Sequence, residues 1–179
     1  DILHCNTIEY IRPEMLPVDY AGPLRPGTVI LSYRNVDLVC AVDLEEETVY
    51  WAESEFWHAQ HEPTILPDGT LLVFDNQGKR DRSTVLQFDP STREVLWSYT
   101  GDEEHPFYSH SLGSCQRLPN GNTLIIESTM GRAFEVTNEG DIVWEFYNPY
   151  RAGDNNELIA TLFDVVRVPK ENVESWLTR

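Results

Sequence analysis

From His61 to Trp97 the chain reads as short apolar runs cut by polar punctuation. HEPTIL is followed by a PDG turn, TLLVFDN by a polar break at QGKRDRS, TVLQFDP by a turn at STRE, and VLW closes the stretch. Apolar residues alternate within the runs, as they do in half-buried strands. Proline, Asp and Gly between them supply the φ angles that turns need. The pattern predicts four strands in a row.

The unit recurs. LPDGTLLVFD at Leu66 to Asp75 returns as LPNGNTLIIES at Leu118 to Ser128, and RPGTVILSYRN, from Arg25 to Asn35, is a looser copy. Each copy leads into a second strand pair that ends in tryptophan: AVDLEEETVYW, QFDPSTREVLW and EVTNEGDIVW. Trp51, Trp97 and Trp144 are thus 46 and 47 residues apart (51 to 97 to 144), close to the about 40 to 50 residues of a four-stranded propeller blade. The expected fold is an all-β propeller of four-stranded antiparallel blades. Blades are expected at 1–56, 57–105 and 106–150, with ELIATLFDVVRVP opening another over 151–179 and ENVESWLTR forming a short terminal helix. The proline-rich RPEMLPVDYAGPLRPG reads as the first turn of the first blade.

A propeller closes into a ring so that no sheet edge is left bare. Three and a half blades do not close a ring of six, so further blades are expected outside this sequence, and open edges favour self-association of the isolated chain. DILHCN begins inside an expected strand, without an initiator Met or a signal-peptide pattern, and reads as a fragment or processed form.

Composition narrows the function. With 30 acidic and 13 basic residues in 179, the net charge is −17, a field that repels nucleic acid and anionic membrane. No apolar run approaches the about 20 residues of a membrane span. Cys5, Cys40 and Cys115 are odd in number and widely spaced, so they form no disulfide scaffold and read as small buried side chains. No metal-ligand spacing stands out, and no cofactor is expected.

The repeat also aligns candidate chemistry. Matching the turns at Pro67 and Pro119 sets His61 level with Gly113, and matching NTIEY to PTILP sets His4 at the same place in the first blade. Equivalent residues of innermost strands ring the central channel of a propeller. The antiparallel second strand brings Arg34, Asp75 and Asn76 to the same rim, with Lys79 and Arg80 just beyond, and His110 lies three residues before Gly113. Imidazoles with guanidiniums suit an oxyanion: Arg supplies bidentate donors, and His can donate, shuttle a proton or attack. Histidines at strand starts also satisfy backbone carbonyls, but the repeated placement of His4 and His61 favours a shared ring. His58 and His105 fall in inter-blade connections and read as solvated. The three repeat tryptophans read as packing anchors.

The strings DILHCN, LSYRNVDLV, WHAQHEPTILPDGTLLVFDNQG and GSCQRLPNGNTLIIESTMGRAFEVTNEGDIVWEF, in that order, resemble the C-terminal part of the arylsulfotransferase family of six-bladed propellers, over residues 1 to 168. The tryptophan repeat is also similar to the quinoprotein docking repeat, whose dehydrogenase chemistry would want a Cys-Cys pair or a calcium site that this sequence does not display. The arylsulfotransferase resemblance implies a periplasmic or secreted enzyme that moves a sulfuryl group from an aryl sulfate to a phenol. It matches His4 and His61 to sulfate-site histidines and Arg80 to the family's arginine, with Arg34 and Asn76 beside them. The family's nucleophilic histidine falls near Met130-Gly131-Arg132, where this chain carries no histidine. The nucleophile is then His110 or His61, or else the propeller binds an anion or protein partner without chemistry.

Overall fold

The computed structural model describes residues 1–79 and 81–177. Three antiparallel sheets follow one another, each with its strands in chain order. The first contains β1 (Cys5–Tyr10), β2 (Val29–Tyr33), β3 (Leu38–Asp43) and β4 (Thr48–Glu53); the second β5 (His61–Ile65), β6 (Leu71–Lys79), β7 (Arg82–Asp89) and β8 (Glu94–Tyr99); the third β9 (Ser114–Arg117), β10 (Thr123–Glu127), β11 (Arg132–Val136) and β12 (Ile142–Tyr147). A two-stranded ribbon, β13 (Arg151–Ala152) with β14 (Leu158–Ile159), and α1 (Lys170–Leu177) complete the chain. The sheets approach one another through their first strands, β1 to β5 and β5 to β9. These are consecutive blades of a β-propeller.

The core lies between blades rather than within one. Leu71 and Val73 of β6 join Ile30, Val39 and Trp57 in a cluster under the first blade, while Leu72 and Phe74 of the same strand join Ile125 and Phe134 under the third. TLLVF is therefore a continuous apolar run because both faces of β6 are packed, not one face as simple alternation predicts. β10 is buried along its whole length for the same reason.

The repeat tryptophans sit on the outer strands. Ala41 pairs with Trp51, Gln87 with Trp97 and Glu135 with Trp144, and the register slips by a residue at each of these places. Such a bulge strengthens the local twist. Trp51 and Trp97 only lean on the clusters and Trp144 is 39% exposed. The fully buried tryptophan is Trp57, which the repeat did not single out. Its indole N–H donates to the Asp37 carbonyl at 3.0 Å, and its ring stands edge-on to Phe88 at 5.4 Å.

Three local expectations are revised. The proline-rich stretch is more than a turn, because Leu16 and Leu24 enter the first cluster and the Tyr20 hydroxyl reaches Gly69 of the next blade. The polar break after TLLVFDN is shorter than expected, since pairing continues to Lys79 with Arg82. Residues 160–169 form no strand. They run beside β9, where Gln116 accepts from Arg167 N–H at 2.8 Å and donates to its carbonyl at 3.3 Å. A strand needs a hydrogen-bonded neighbour, and among the described residues α1 follows instead.

Burial separates the tryptophans energetically. Trp57→Ala should cost about 3–5 kcal/mol in urea unfolding, and Trp144→Ala about 1 kcal/mol or less.

Candidate functional site

The innermost strands break at one shared level. Register slips between Cys5 and Thr7 in β1 and between His61 and Thr64 in β5. Left-handed backbone recurs there at His4 (φ 54), Glu62 (φ 45) and Leu112 (φ 58). Non-glycine residues rarely adopt this conformation, and it persists where the surroundings enforce it. Pro63 contributes by withholding the N–H that a regular ladder would use. Successive strand residues normally face opposite sides. Here the consecutive His61 and Glu62 line the same cavity, together with Thr7, Gly113 and Asp164.

Gly113 explains why the third blade adds no histidine to the ring. It has φ +106, and a Cβ there would stand 2.5 Å from the Phe74 ring.

His61 is held firmly. Asn76 donates its amide N–H groups to the carbonyls of Ser109 at 2.7 Å and Leu112 at 2.5 Å. Its Oδ1 is therefore the atom facing His61 Nδ1 at 2.7 Å, and the Ala59 carbonyl faces the same nitrogen at 3.1 Å. Two acceptors at Nδ1 fix the proton there and leave the lone pair on Nε2. Burial lowers the His61 pKa against the opposing pull of Asn76, and the charges of Arg34 and His4 lower it further. The ring is neutral at pH 7.

The remaining candidates converge unevenly. Arg34 reaches from the first blade to the third, donating to the His110 carbonyl at 3.4 Å, and Gln77 donates to the same carbonyl at 2.9 Å. The His110 ring is exposed, and its Nε2 lies 3.4 Å from the Ser111 hydroxyl. His4 is exposed at the N-terminal side of the same rim, its carbonyl accepting from Arg34 N–H at 3.0 Å. Arg80 lies outside the described residues. His58, an expected solvated residue, is exposed but faces Asp37 Oδ2 at 3.0 Å. Among the described residues no group of three or more His, Cys, Asp or Glu is arranged to hold a metal ion, and no helix is long and apolar enough to cross a membrane.

Sequence reading passed over a second cluster. Glu62 Oε2 accepts from Cys115 N–H at 3.2 Å, and Ser114 donates its hydroxyl to Asp164 Oδ1 at 2.8 Å. Burial, with Asp164 beside it, pushes the Glu62 carboxyl up to about 7. Glu62, Ser114 and Asp164 border both the His61 cavity of about 360 Å³ and a larger cleft of about 550 Å³ walled by Ile65, Leu66, Leu118 and Val165. Strand alternation assigns Glu62 to the wrong face, and Pro63 was the one signal against it.

Residues 1–149 match the profile of the arylsulfotransferase (ASST) family. The chain belongs to the arylsulfotransferase family. No curated relative matches the sequence. Among solved structures it is similar to a protein of unknown function from Bacteroides caccae (17% identity, TM-score 0.51, 80% of this chain and 45% of that one) and to the WD40 propeller domain of Doa1 (14%, 0.56, 81% and 41%). At such identities these likenesses speak for the propeller fold alone. The chain spans less than half the length of either structure.

Arg132 lies in the stretch near which the family's nucleophilic histidine is expected from sequence. It lies on the third strand of its blade, two strands out from β9. Its buried guanidinium pairs with Glu127 at 3.1 Å and Glu145 at 2.7 Å and donates to the Pro106 carbonyl. That side chain ties strands of its own blade to one another and to the connection that enters it.

The Glu62 shift has a signed consequence. The folded carboxyl keeps its proton to about pH 7, the unfolded one only to about 4.3. Stability from this group is complete below the unfolded value and is lost as pH rises through about 7. Glu62→Gln should therefore be more stable than the parent at pH 8, by up to about 3 kcal/mol, while at pH 4 the two unfold together in a circular-dichroism melt.

Proposed function

We propose that this protein transfers a sulfuryl group from an aryl sulfate to a phenolic acceptor, with His61 as the nucleophile. The observation that carries the reading is the doubly anchored Nδ1–H of His61, which leaves a neutral imidazole with its lone pair on Nε2 beside the cavity. A neutral imidazole can attack sulfur where an imidazolium cannot. Arg34 is close enough to act on that ring electrostatically, and a guanidinium is well suited to the sulfate oxygens. His4 and His110 stand on the same rim as further donors, and Arg80 joins them by family resemblance. Two half-reactions through an N-sulfated histidine give ping-pong kinetics. The reaction belongs in the periplasm or outside the cell, as is typical of the family.

A second reading, an anion-binding propeller without chemistry, draws on Arg132, an ion-paired side chain in the stretch where the family's nucleophile aligns. Nitrophenol release from para-nitrophenyl sulfate by the intact protein, with phenol as acceptor, separates the two. Phenol-dependent release that falls at least about 1,000-fold in His61→Ala supports transfer; sulfate binding without release supports the alternative. In the transfer case Arg34→Ala should raise KM for the donor about 10-fold, read from initial rates.

A further inference from the structure

We propose that Glu62 is the proton-transfer group of the site, donating to the departing aryl oxygen and then accepting the proton of the incoming phenol. The inference rests on the sulfuryl-transfer reading above and adds a residue that neither the repeat nor the family resemblance identifies.

Placement is the first argument. Glu62 borders both cavities, the one lined by His61 and the apolar cleft adjoining it. An aryl sulfate has the same division, a charged head and an apolar ring joined by one bridging oxygen. With sulfur at His61 and the ring in the cleft, the bridging oxygen falls at the junction, where Glu62 stands.

The second argument is the carboxyl's surroundings. Oε2 is engaged by Cys115 N–H, so the proton resides on Oε1. Asp164 faces Glu62 from residues 160–169, Glu9 from β1 and the Cys115 thiol from β9, with the His61 imidazole beside it on β5. Two like charges close to a buried carboxyl favour its neutral form, and burial together with these neighbours lifts its pKa to about 7. A group that titrates near the working pH can serve as both acid and base. A neutral Glu62 also spares the sulfate a charge in a strongly acidic protein.

The steps balance. His61 Nε2 bonds to sulfur as the bond from sulfur to the aryl oxygen breaks. That bond's electron pair stays on oxygen, which takes the Glu62 proton and leaves as a phenol. The acceptor's oxygen then attacks sulfur, the N–S electron pair returns to Nε2, and the acceptor's proton passes to the Glu62 carboxylate.

The test compares two donors on the intact protein, para-nitrophenyl sulfate and phenyl sulfate. Nitrophenolate departs without a proton, whereas phenolate needs one. Glu62→Gln should slow phenyl sulfate turnover about 100-fold and para-nitrophenyl sulfate turnover less than about 10-fold, and should remove the limb of the pH profile near 7. Asp164→Asn, which leaves Glu62 in place, should shift that limb to lower pH because a raising charge is gone. Equal slowing of both donors with the limb retained, or a limb unmoved in Asp164→Asn, would overturn the role of Glu62 while His61-dependent transfer stands. A folded parent protein inert toward both donors would overturn the sulfuryl-transfer reading, and the proton-transfer step with it.

Discussion

The innermost strand of a propeller blade has a sheet partner on one side only, so its other edge presents N–H groups that still need acceptors. An unpaired buried backbone group costs free energy comparable to a lost hydrogen bond. Here side chains on the preceding inner strand meet that need. Thr7 Oγ1 accepts from Glu62 N–H at 3.1 Å, Glu9 Oε2 from Ile65 N–H at 3.2 Å, Glu62 Oε2 from Cys115 N–H at 3.2 Å and Gln116 Oε1 from Arg167 N–H at 2.8 Å. Apolar clusters hold the blades face to face, but these bonds set the level at which neighbouring inner strands meet.

Two consequences follow for chemistry. Acceptors suited to N–H groups are often carboxylates, so edge satisfaction carries Glu9 and Glu62 toward the channel, where burial raises both pKa values. The same stitching supports the left-handed turn at Glu62, which sets His61 and Glu62 on one cavity. Backbone strain and a carboxyl of raised pKa thus share one structural origin, next to a histidine whose tautomer Asn76 and the Ala59 carbonyl fix.

The fold was largely legible because a repeat states the same structure several times. LPDGTLLVFD and LPNGNTLIIES each mark a hairpin, and the tryptophan spacing sets the blade length. Residues 160–169 were misread because apolar composition signals a strand, yet strand formation depends on a neighbour that local sequence does not report. Trp57 escaped notice for a related reason, since it occupies a connection where no repeat position drew attention. At the site, His61, Arg34 and Asn76 could be grouped from antiparallel geometry alone. Glu62 and Asp164 could not, since one depends on a bulge that reverses alternation and the other on a segment 102 residues away (62 to 164).

Two of the arginines singled out by sequence, Arg34 and Arg132, illustrate how burial assigns roles. Arg34 is close enough to His61 to act on its titration while meeting no carboxylate among its described hydrogen bonds. Arg132 is desolvated, and a buried charge is tolerable only with close counter-charges and satisfied donors; Glu127, Glu145 and the Pro106 carbonyl provide them. Substituting histidine there would strand Glu127 beneath a shorter side chain and release the Pro106 carbonyl of the connection entering the third blade. Arg132 is best understood through those contacts, whereas His61, on an inner strand, keeps a neutral imidazole whose Nε2 lone pair is left free beside the cavity.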